Sequence, residues 1–504
     1  MKTSSDVIAA INALEQAFPV SSWRLDDIDL WPSYRLRLYG AAIDGLLLTH
    51  PPPRGLPRWR GLATRASRSL WRVPLAAWRD RRANAPVRPG TTAAFLSDGV
   101  SFTRLDGQWF DRVIDPVMQG LQERGLHALK LTPLAEAHVP RNQPSIFVQP
   151  TIDRIKLLAT RHRIEPELAE FDSLVAAGRQ SFGTMVPSRE WLRVQAARLQ
   201  ALSRWFGGAL QRSEASHAFV NTWYSLEGQA FVMAANRLGM RAIDLQHGMQ
   251  GSQHVAYSNW LTVPVEGYST LPNEFWVWGQ EEAVVIDAWA TRTARHSARV
   301  TGNYWLQQWR DDGQPLVRSF LAQACALRGN AVTQVLVGLT WGVAEEETEK
   351  LMEAARLCGN SVSWWWRLHP VESGRRAEFA ARLARCGLDA SCVSEATDLP
   401  LYALVRNADL TVAHSSTLIR EAAEFGVPSV VTSDYGAAMH ADLVRNGMAL
   451  RALDSAAIAH AVTTLAKRPR QREAALSPQG PTLSAALDEL LGSKPPHHTE
   501  PIAA

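Results

Sequence analysis

The chain changes its hydrophobic rhythm along its length. Residues 1–50 open with an amphipathic helical period and continue into DDIDLWPSYRLRLYGAAIDGLLL, whose apolar positions recur at helical spacing after Pro32. From about residue 91 the texture becomes short apolar runs set between helical stretches. TAAFLSDG, HALKLTPL and SIFVQP come first; then, past a charged helical region at about 160–212, HAFVNTWYS, RAIDLQHG, EFWVWGQ and ARVTGN. A helix around 227–238 separates two of them. A second series starts near 330, where TQVLVGLT, VSWWWRLHP, DASCVS, DLTVAHS, PSVVTSD and MALRAL read as strands. Helices such as EEETEKLMEAARLC and RAEFAARLARCG lie between them. Buried strands alternating with helices predict parallel sheets covered on both faces. The expected fold is α/β, with two doubly wound Rossmann-like domains in series facing across a cleft. The expected spans are an N-terminal helical and basic region at 1–90, a first α/β domain at 91–312, a second at 313–480 and a C-terminal tail at 481–504.

Composition narrows the class. At 504 residues the chain exceeds what one core usually carries, and 46% hydrophobic with 20% charged residues excludes collagen-like, coiled-coil and wholly disordered chains. The cysteines are Cys325, Cys358, Cys386 and Cys392, with no C-x-x-C pair, which suits a reducing cytoplasm and excludes a disulfide scaffold or zinc finger. Asp6, Asn12 and Glu15 interrupt the N-terminus where a signal peptide needs an apolar stretch, and no run of about 18 apolar residues predicts a membrane span.

The net charge of +4 is unevenly spread. Residues 51–90 hold ten arginines, no lysine and Asp80 as their acid, interleaved with Trp59, Trp71 and Trp78. Such a segment can adsorb on an anionic bilayer with its rings at headgroup depth. It can equally be an insertion whose rings dock on the body; nucleic acid is disfavoured because no recognised binding module accompanies it.

In open parallel sheets ligands bind beyond the carboxyl ends of strands, so the residues after each strand carry the candidate chemistry. In the second series these are Thr340-Trp341-Gly342, Arg367-Leu368-His369-Pro370 and His414-Ser415-Ser416-Thr417. Hydroxyl residues at a strand-to-helix turn either cap the helix or cradle a phosphate. Glu421, one turn further on, is placed to accept from a ribose diol. Arg367, two residues before His369, projects from the same strand face. In the first series His247 follows RAIDLQ and precedes Gly248, and a histidine held there is either a general base or a hydrogen-bonded turn residue. Asp98, Asp111, Asp115 and Glu227 also stand at strand ends, with Asp98 and Glu227 as candidate catalytic carboxylates. No G-x-x-x-x-G-K-[ST] and no strand-borne G-x-G-x-x-G occurs, which counts against P-loop hydrolysis and NAD(P).

Ser415-Ser416-Thr417, Glu421-Ala422-Ala423 and Gly426-Val427-Pro428 together resemble the donor-binding domain of GT-B fold glycosyltransferases. His369-Pro370 combined with Ser415-Ser416 is similar to the paired motifs of GT-B enzymes with CMP- or CDP-activated donors. These include bacterial sialyl- and polysialyltransferases, capsule Kdo transferases and teichoic acid glycerophosphotransferases. Asp244 to Gly251 resembles the His-Gly turn of teichoic-acid polymerases, although Met249-Gln250 replaces the usual Thr-Pro. The resemblance covers about 215–435. It implies a metal-independent transferase needing no cofactor, with His369, Pro370, Ser415, Ser416, Thr417 and Glu421 on a nucleotide-sugar donor; Arg367 joins them from its spacing on the strand, apart from the resemblance.

The expectation is a glycosyltransferase of bacterial surface polysaccharide (capsule or lipopolysaccharide) that moves sugar from a CMP- or other nucleotide-linked donor to a lipid-linked or oligosaccharide acceptor. It would be cytoplasmic, peripheral on the inner face of the inner membrane if 51–90 adsorb there, and would bind no nucleic acid. The alternatives are a nucleotide-sugar 2-epimerase-like enzyme, a CDP-polyol phosphotransferase and a non-catalytic scaffold of the same fold.

Overall fold

The structure, a computed structural model, describes residues 3–47, 90–133, 139–160, 165–468 and 482–492. The basic segment before Gly90, and the membrane adsorption expected of it, lie outside the described residues. The described residues divide into two compact units. The first comprises 3–43, 90–304 and 482–492, the second 44–47 and 305–468.

Helices α1 (Ser4–Ala17) and α2 (Trp31–Leu47) open the first unit. Thr3 caps α1 in a reciprocal capping box with Asp6. The sheet is built from β1 (Ala93–Leu96), β4 (Ala128–Thr132), β5 (Ile146–Phe147), β6 (His217–Val220), β7 (Arg241–Leu245), β8 (Glu274–Val277) and β9 (Ser297–Val300). Its order is β9-β8-β7-β6-β1-β4-β5, and every pairing is parallel. The chain therefore runs outward from β1 through β4 to β5, then returns to place β6 on the other side of β1. That return makes the β1–β6 edge a topological switch point.

Between β1 and β4 a hairpin, β2 (Phe102–Leu105) and β3 (Gln108–Asp111), turns on Asp106 and Gly107, both at positive φ. The strand pattern described above omits it, although an Asp-Gly flanked by alternating residues is a hairpin signal. Helix α3 (Asp115–Gln122) and helix α18 (Leu483–Gly492) cover one face of the sheet, where Val117, Met118, Leu487 and Leu490 pack against Phe95, Phe219 and Trp276.

In the second unit, β10 (Thr333–Gly338), β11 (Val362–Arg367), β12 (Leu410–Ala413), β13 (Ser429–Val431) and β14 (Ala449–Arg451) form a sheet of order β11-β10-β12-β13-β14, again all parallel. Its switch point lies between β10 and β12. Trp365 and Trp366 are buried in β11, and Trp366 belongs to the unit's core, so the Trp-Trp-Trp run is packing. DASCVS, expected as a strand, instead makes a turn and enters helix α12 (Val393–Asp398); Asp389 Oδ1 accepts from the Ser391 amide and closes the turn. Both units are thus doubly wound α/β, as the alternation of apolar runs and helices predicts. No helix among the described residues is long and apolar enough to cross a membrane.

One polar cluster ties the hairpin to the sheet. Lys130 of β4 is buried and lies 2.6 Å from Asp115 and 3.2 Å from Asp111. Asp111 also accepts from the Ser97 hydroxyl at 2.6 Å, just past β1. Lys130→Met should leave two buried carboxylates without their counter-charge and destabilise the fold by about 3–5 kcal/mol, the usual cost of breaking a buried pair. Urea melts of wild type and variant will read that difference.

Candidate functional site

Parallel register sets which residues meet at the sheet edge. Leu96 of β1 lies opposite Leu131 and Val220, and Val220 lies opposite Asp244. Two residues further along each strand stand Asp98, Thr222 and Gln246. A cavity of about 460 Å³ opens there, at the switch point, lined by Asp98, Asn221, Thr222, Tyr224, Glu227 and His247 among others. Its floor is apolar, from Leu96, Ile152 and Val220. The three candidate catalytic residues, Asp98, Glu227 and His247, are therefore brought to one wall set.

They are not equivalent. Asp98 is committed to building its own turn. One carboxylate oxygen accepts from the Val100 and Ser101 amides at 2.8 and 3.1 Å, the other from the Ser101 and Thr222 hydroxyls at 3.2 and 3.3 Å. Its own amide donates to Asn221 at 2.8 Å, which stitches the ends of β1 and β6 together. A carboxylate with about four acceptor sites so engaged has little left for a substrate proton. Glu227, on the first turn of α7 (Leu226–Arg237), pairs with Lys156 at 2.7 Å. Asp111 and Asp115 belong to the Lys130 cluster.

His247 is half-buried, and its Nε2 lies 3.1 Å from the Tyr224 hydroxyl inside the cavity. Burial holds its pKa below the ordinary imidazole value; the Asp98 charge pulls the other way and Arg112 reinforces the drop. The ring is consequently neutral near pH 7, the form a general base needs. The turn that carries it is held by Gln246, whose amide donates to the Gly248 carbonyl at 2.9 Å while its oxygen accepts from the Trp278 amide at 2.6 Å. Gly248 is not at positive φ, so its backbone conformation does not itself call for glycine. A glycine is required elsewhere: a Cβ on Gly228 would meet the Thr222 carbonyl at 2.2 Å, where α7 starts against the loop after β6.

Tyr224 was not singled out from sequence, because NTWYS reads there only as a strand end. It is half-buried, and its phenol is held far above its normal range by desolvation, so it remains a neutral hydroxyl. Lys156, Asn221, Thr222 and Gln246 were missed for the same reason: their partners come from distant elements.

In the second unit, Gly338 lies opposite both Arg367 and Ala413. Three adjacent strand ends therefore carry Thr340-Trp341, His369 and Ser415-Ser416 beside one another. His369 caps a short 3-10 helix that starts at Pro370; its Nδ1 accepts from the Val371 amide at 3.3 Å, leaving Nε2 as an N–H donor. Burial also lowers its pKa. Ser416 Oγ accepts from the Leu418 amide at 3.2 Å, and Ser415 Oγ is 3.1 Å from His414 Nδ1. Ser415, Ser416 and Thr417 are all half-buried at the edge. A Cβ on Gly436 would meet the His414 carbonyl at 2.0 Å, so the short helix at Asp434–Met439 packs tightly against this turn.

Two candidates have other work. Arg367 donates through Nη1 to the Ala396 and Leu399 carbonyls at 2.8 and 2.6 Å, fastening the end of α12. Glu421, on helix α14 (Leu418–Glu424), is buried and accepts from the Tyr402 hydroxyl at 2.5 Å. The geometry thus gathers His369, Pro370, Ser415, Ser416 and Thr417 and sets Arg367 and Glu421 to packing roles. Among the described residues no group of three or more His, Cys, Asp or Glu is placed to hold a metal ion.

No family model and no curated relative matches the chain. Among solved structures it is similar to a Methanocaldococcus jannaschii UDP-GlcNAc 2-epimerase in complex with UDP-GlcNAc and UDP, at 12% identity over 80% of this chain and 99% of that one, with a TM-score of 0.48. A Neisseria meningitidis UDP-GlcNAc 2-epimerase bound to UDP-GlcNAc gives 12%, 80%, 99% and 0.45. The wall teichoic acid polymerase TagF gives 13%, 83%, 90% and 0.42. At these identities and TM-scores the likeness assigns neither family nor function, so the reading of the site rests on its own residues.

The neutral state of His247 has a direct readout. Because its folded pKa is depressed, the ring stays neutral down to a pH below about 6.5 and protonates only under more acid conditions. Histidine-selective NMR should show one resonance, absent in His247→Gln, titrating below that value. Removing the Asp98 charge with Asp98→Asn should lower it further. A His247 resonance titrating above 7 in wild type would contradict this electrostatic account.

Proposed function

We propose that the chain is a glycosyltransferase that takes sugar from a nucleotide-activated donor, with a hydroxyl acceptor entering the cavity of the first unit. The observation that carries this reading is the meeting of His247, Tyr224, Asp98 and Glu227 in one cavity at a topological switch point. A neutral imidazole lining the cavity can remove the acceptor's proton as the glycosidic bond forms and the donor's sugar–phosphate bond breaks, the nucleotide leaving with the bonding electrons. The Tyr224 hydroxyl lies at hydrogen-bond distance from Nε2, so an acceptor hydroxyl would share or displace that bond.

The donor is assigned to the strand ends of the second unit. The Nε2–H of His369 and the hydroxyls of Ser415, Ser416 and Thr417 supply neutral donors to a phosphate, and the exposed Trp341 lies on the adjoining strand end. Their resemblance to His-Pro and Ser-Ser motifs supports a cytidine nucleotide. Capsule or lipopolysaccharide glycan as acceptor, and the inner membrane face as workplace, belong to the same proposal and rest on that resemblance and on residues 51–90.

Two measurements test it. CMP or CDP should raise the melting temperature, since saturation at about 100 times Kd adds about 2.7 kcal/mol. Ser416→Ala and His369→Ala should each reduce that shift strongly, whereas UDP and GDP should shift wild type less. His247→Ala should keep the nucleotide shift but lower transfer to a soluble glycan acceptor by roughly 10²–10⁴-fold, the worth of a positioned base. Turnover of donor without any acceptor would point to the epimerase-like reading instead.

A further inference from the structure

Helices α1 and α2 each send one charged side chain into the interior of the first unit, and both act on the same stretch of chain. Glu15 and Arg35 are completely buried, with Arg35 Nε 3.4 Å from Glu15 Oε2. Arg35 Nη1 donates to the Val255 carbonyl at 2.5 Å, and Nη2 donates to the carbonyls of Ser258 and Asn259 at 2.9 and 2.6 Å. Its guanidinium lies 4.1 Å from the centre of the Trp260 ring. Glu15 Oε1 accepts from the amides of Leu261 and Thr262 at 2.8 and 2.9 Å. The pair thus satisfies backbone groups of residues 255–262, which have no helix or strand of their own. Asn259 within them is held at a φ of 59°.

This coil continues directly from the His247 turn and packs back onto it. The rings of His254 and Tyr257 lie 5.1 and 6.0 Å from that of Tyr224, whose hydroxyl meets His247. A second route from α2 reaches the same tyrosine. The Ser33 hydroxyl donates to Gln229 at 2.6 Å, and the Gln229 amide donates to the Tyr224 carbonyl at 3.2 Å. Tyr39 adds a bond to the Gln253 carbonyl at 2.5 Å. A buried ion pair by itself is weak evidence for stability, since apolar residues of similar volume often do as well. What apolar residues cannot do is hold the free carbonyls and amides of a coil in register.

We propose that the Glu15–Arg35 pair is a positioning device for the catalytic wall, fixing the 255–262 coil so that Tyr224 and His247 keep their places in the cavity. Neither residue lines the cavity, so neither contacts the acceptor. The proposal rests on His247 being the reacting group, but its test reads the ring itself.

Glu15→Ala, Glu15→Gln and Ser33→Ala are prepared in the full chain with labelled histidine. Glu15→Gln keeps an oxygen for the two amides; Glu15→Ala removes it. In Glu15→Ala the His247 titration should move upward, toward the ordinary imidazole value, by about half a pH unit or more as the ring gains solvent. Glu15→Gln should restore most of the wild-type titration. Ser33→Ala, which breaks the second route without touching the ion pair, should give a smaller movement in the same direction and keeps the test open if Glu15→Ala does not fold. His440, which belongs to the second unit, serves as an internal control and should stay put. A lower melting temperature with an unmoved His247 resonance in every folded variant overturns the proposal and leaves the pair purely structural. Movement of the resonance in variants of a protein that shows no glycosyl transfer upholds the positioning and refutes the proposed reaction.

Discussion

The parallel pairing of Leu96 with Val220 is the constraint on which the rest of the first unit depends. The crossovers leaving these two strands run to opposite sides, so the chains must part immediately beyond the sheet edge. Parting leaves backbone groups without a ladder partner, and those groups must be satisfied locally. Asp98, Asn221 and Thr222 do this by bonding to one another and to the amides of the turn. The gap that remains is the cavity. Its polar lining therefore has a structural origin first: Asp98 is there to close the end of β1, and its charge is then felt by His247.

Charge burial in this unit does two jobs. Lys130 with Asp111 and Asp115, and Glu15 with Arg35, tie irregular chain to regular structure, whereas Glu274 with Arg241 and Arg299 joins three neighbouring strands of the sheet. Each carries hydrogen bonds beyond the ion pair, which offsets the desolvation that would otherwise make it costly. His247 is the contrasting case, buried beside a carboxylate but without a close ion pair, and desolvation decides its state. A base at this position is kept neutral by what surrounds it rather than by any one contact.

How much of this was legible in the sequence depends on how local each signal is. The strand ends were legible, because a buried parallel strand is a continuous apolar run that stops where polar residues begin. Asp98, His247, His369 and Ser415 each stand one or two places beyond the first polar residue there, whereas Asn221 and Gln246, the first polar residues after β6 and β7, gave no signal of their own. The hairpin at Asp106-Gly107 was equally legible and was passed over. DASCVS misled because an apolar residue between small polar ones has no period of its own. Roles decided by distant partners left no trace. Glu15 and Arg35 look like polar positions of amphipathic helices until the fold brings residues 255–262 against them. Arg367 shares a strand face with His369 by spacing, yet the carbonyls of Ala396 and Leu399 claim it. Glu421 sits where a ribose contact was expected and is claimed by Tyr402.

The two candidate sites differ in a way that fixes which ligand each can take on the proposed reading. The first is lined by Asp98 and Glu227, and the nearby Lys156 is already paired with Glu227. A phosphate placed there would meet carboxylates at short range in a partly desolvated cavity, where like charges repel most strongly. A neutral hydroxyl meets instead an imidazole acceptor and a phenol. The second site offers the reverse: an imidazole N–H from His369 and the hydroxyls of Ser415, Ser416 and Thr417, with Glu421 drawn away into the core by Tyr402. On that reading those groups are the ones that would hold an anion, with Glu372 beside His369 and Glu347 beside His414 as the acids nearest to them. Exchanging the ligands would set phosphate against the Asp98 and Glu227 carboxylates, which is why the proposed reading gives the acceptor to the first unit and the nucleotide to the second.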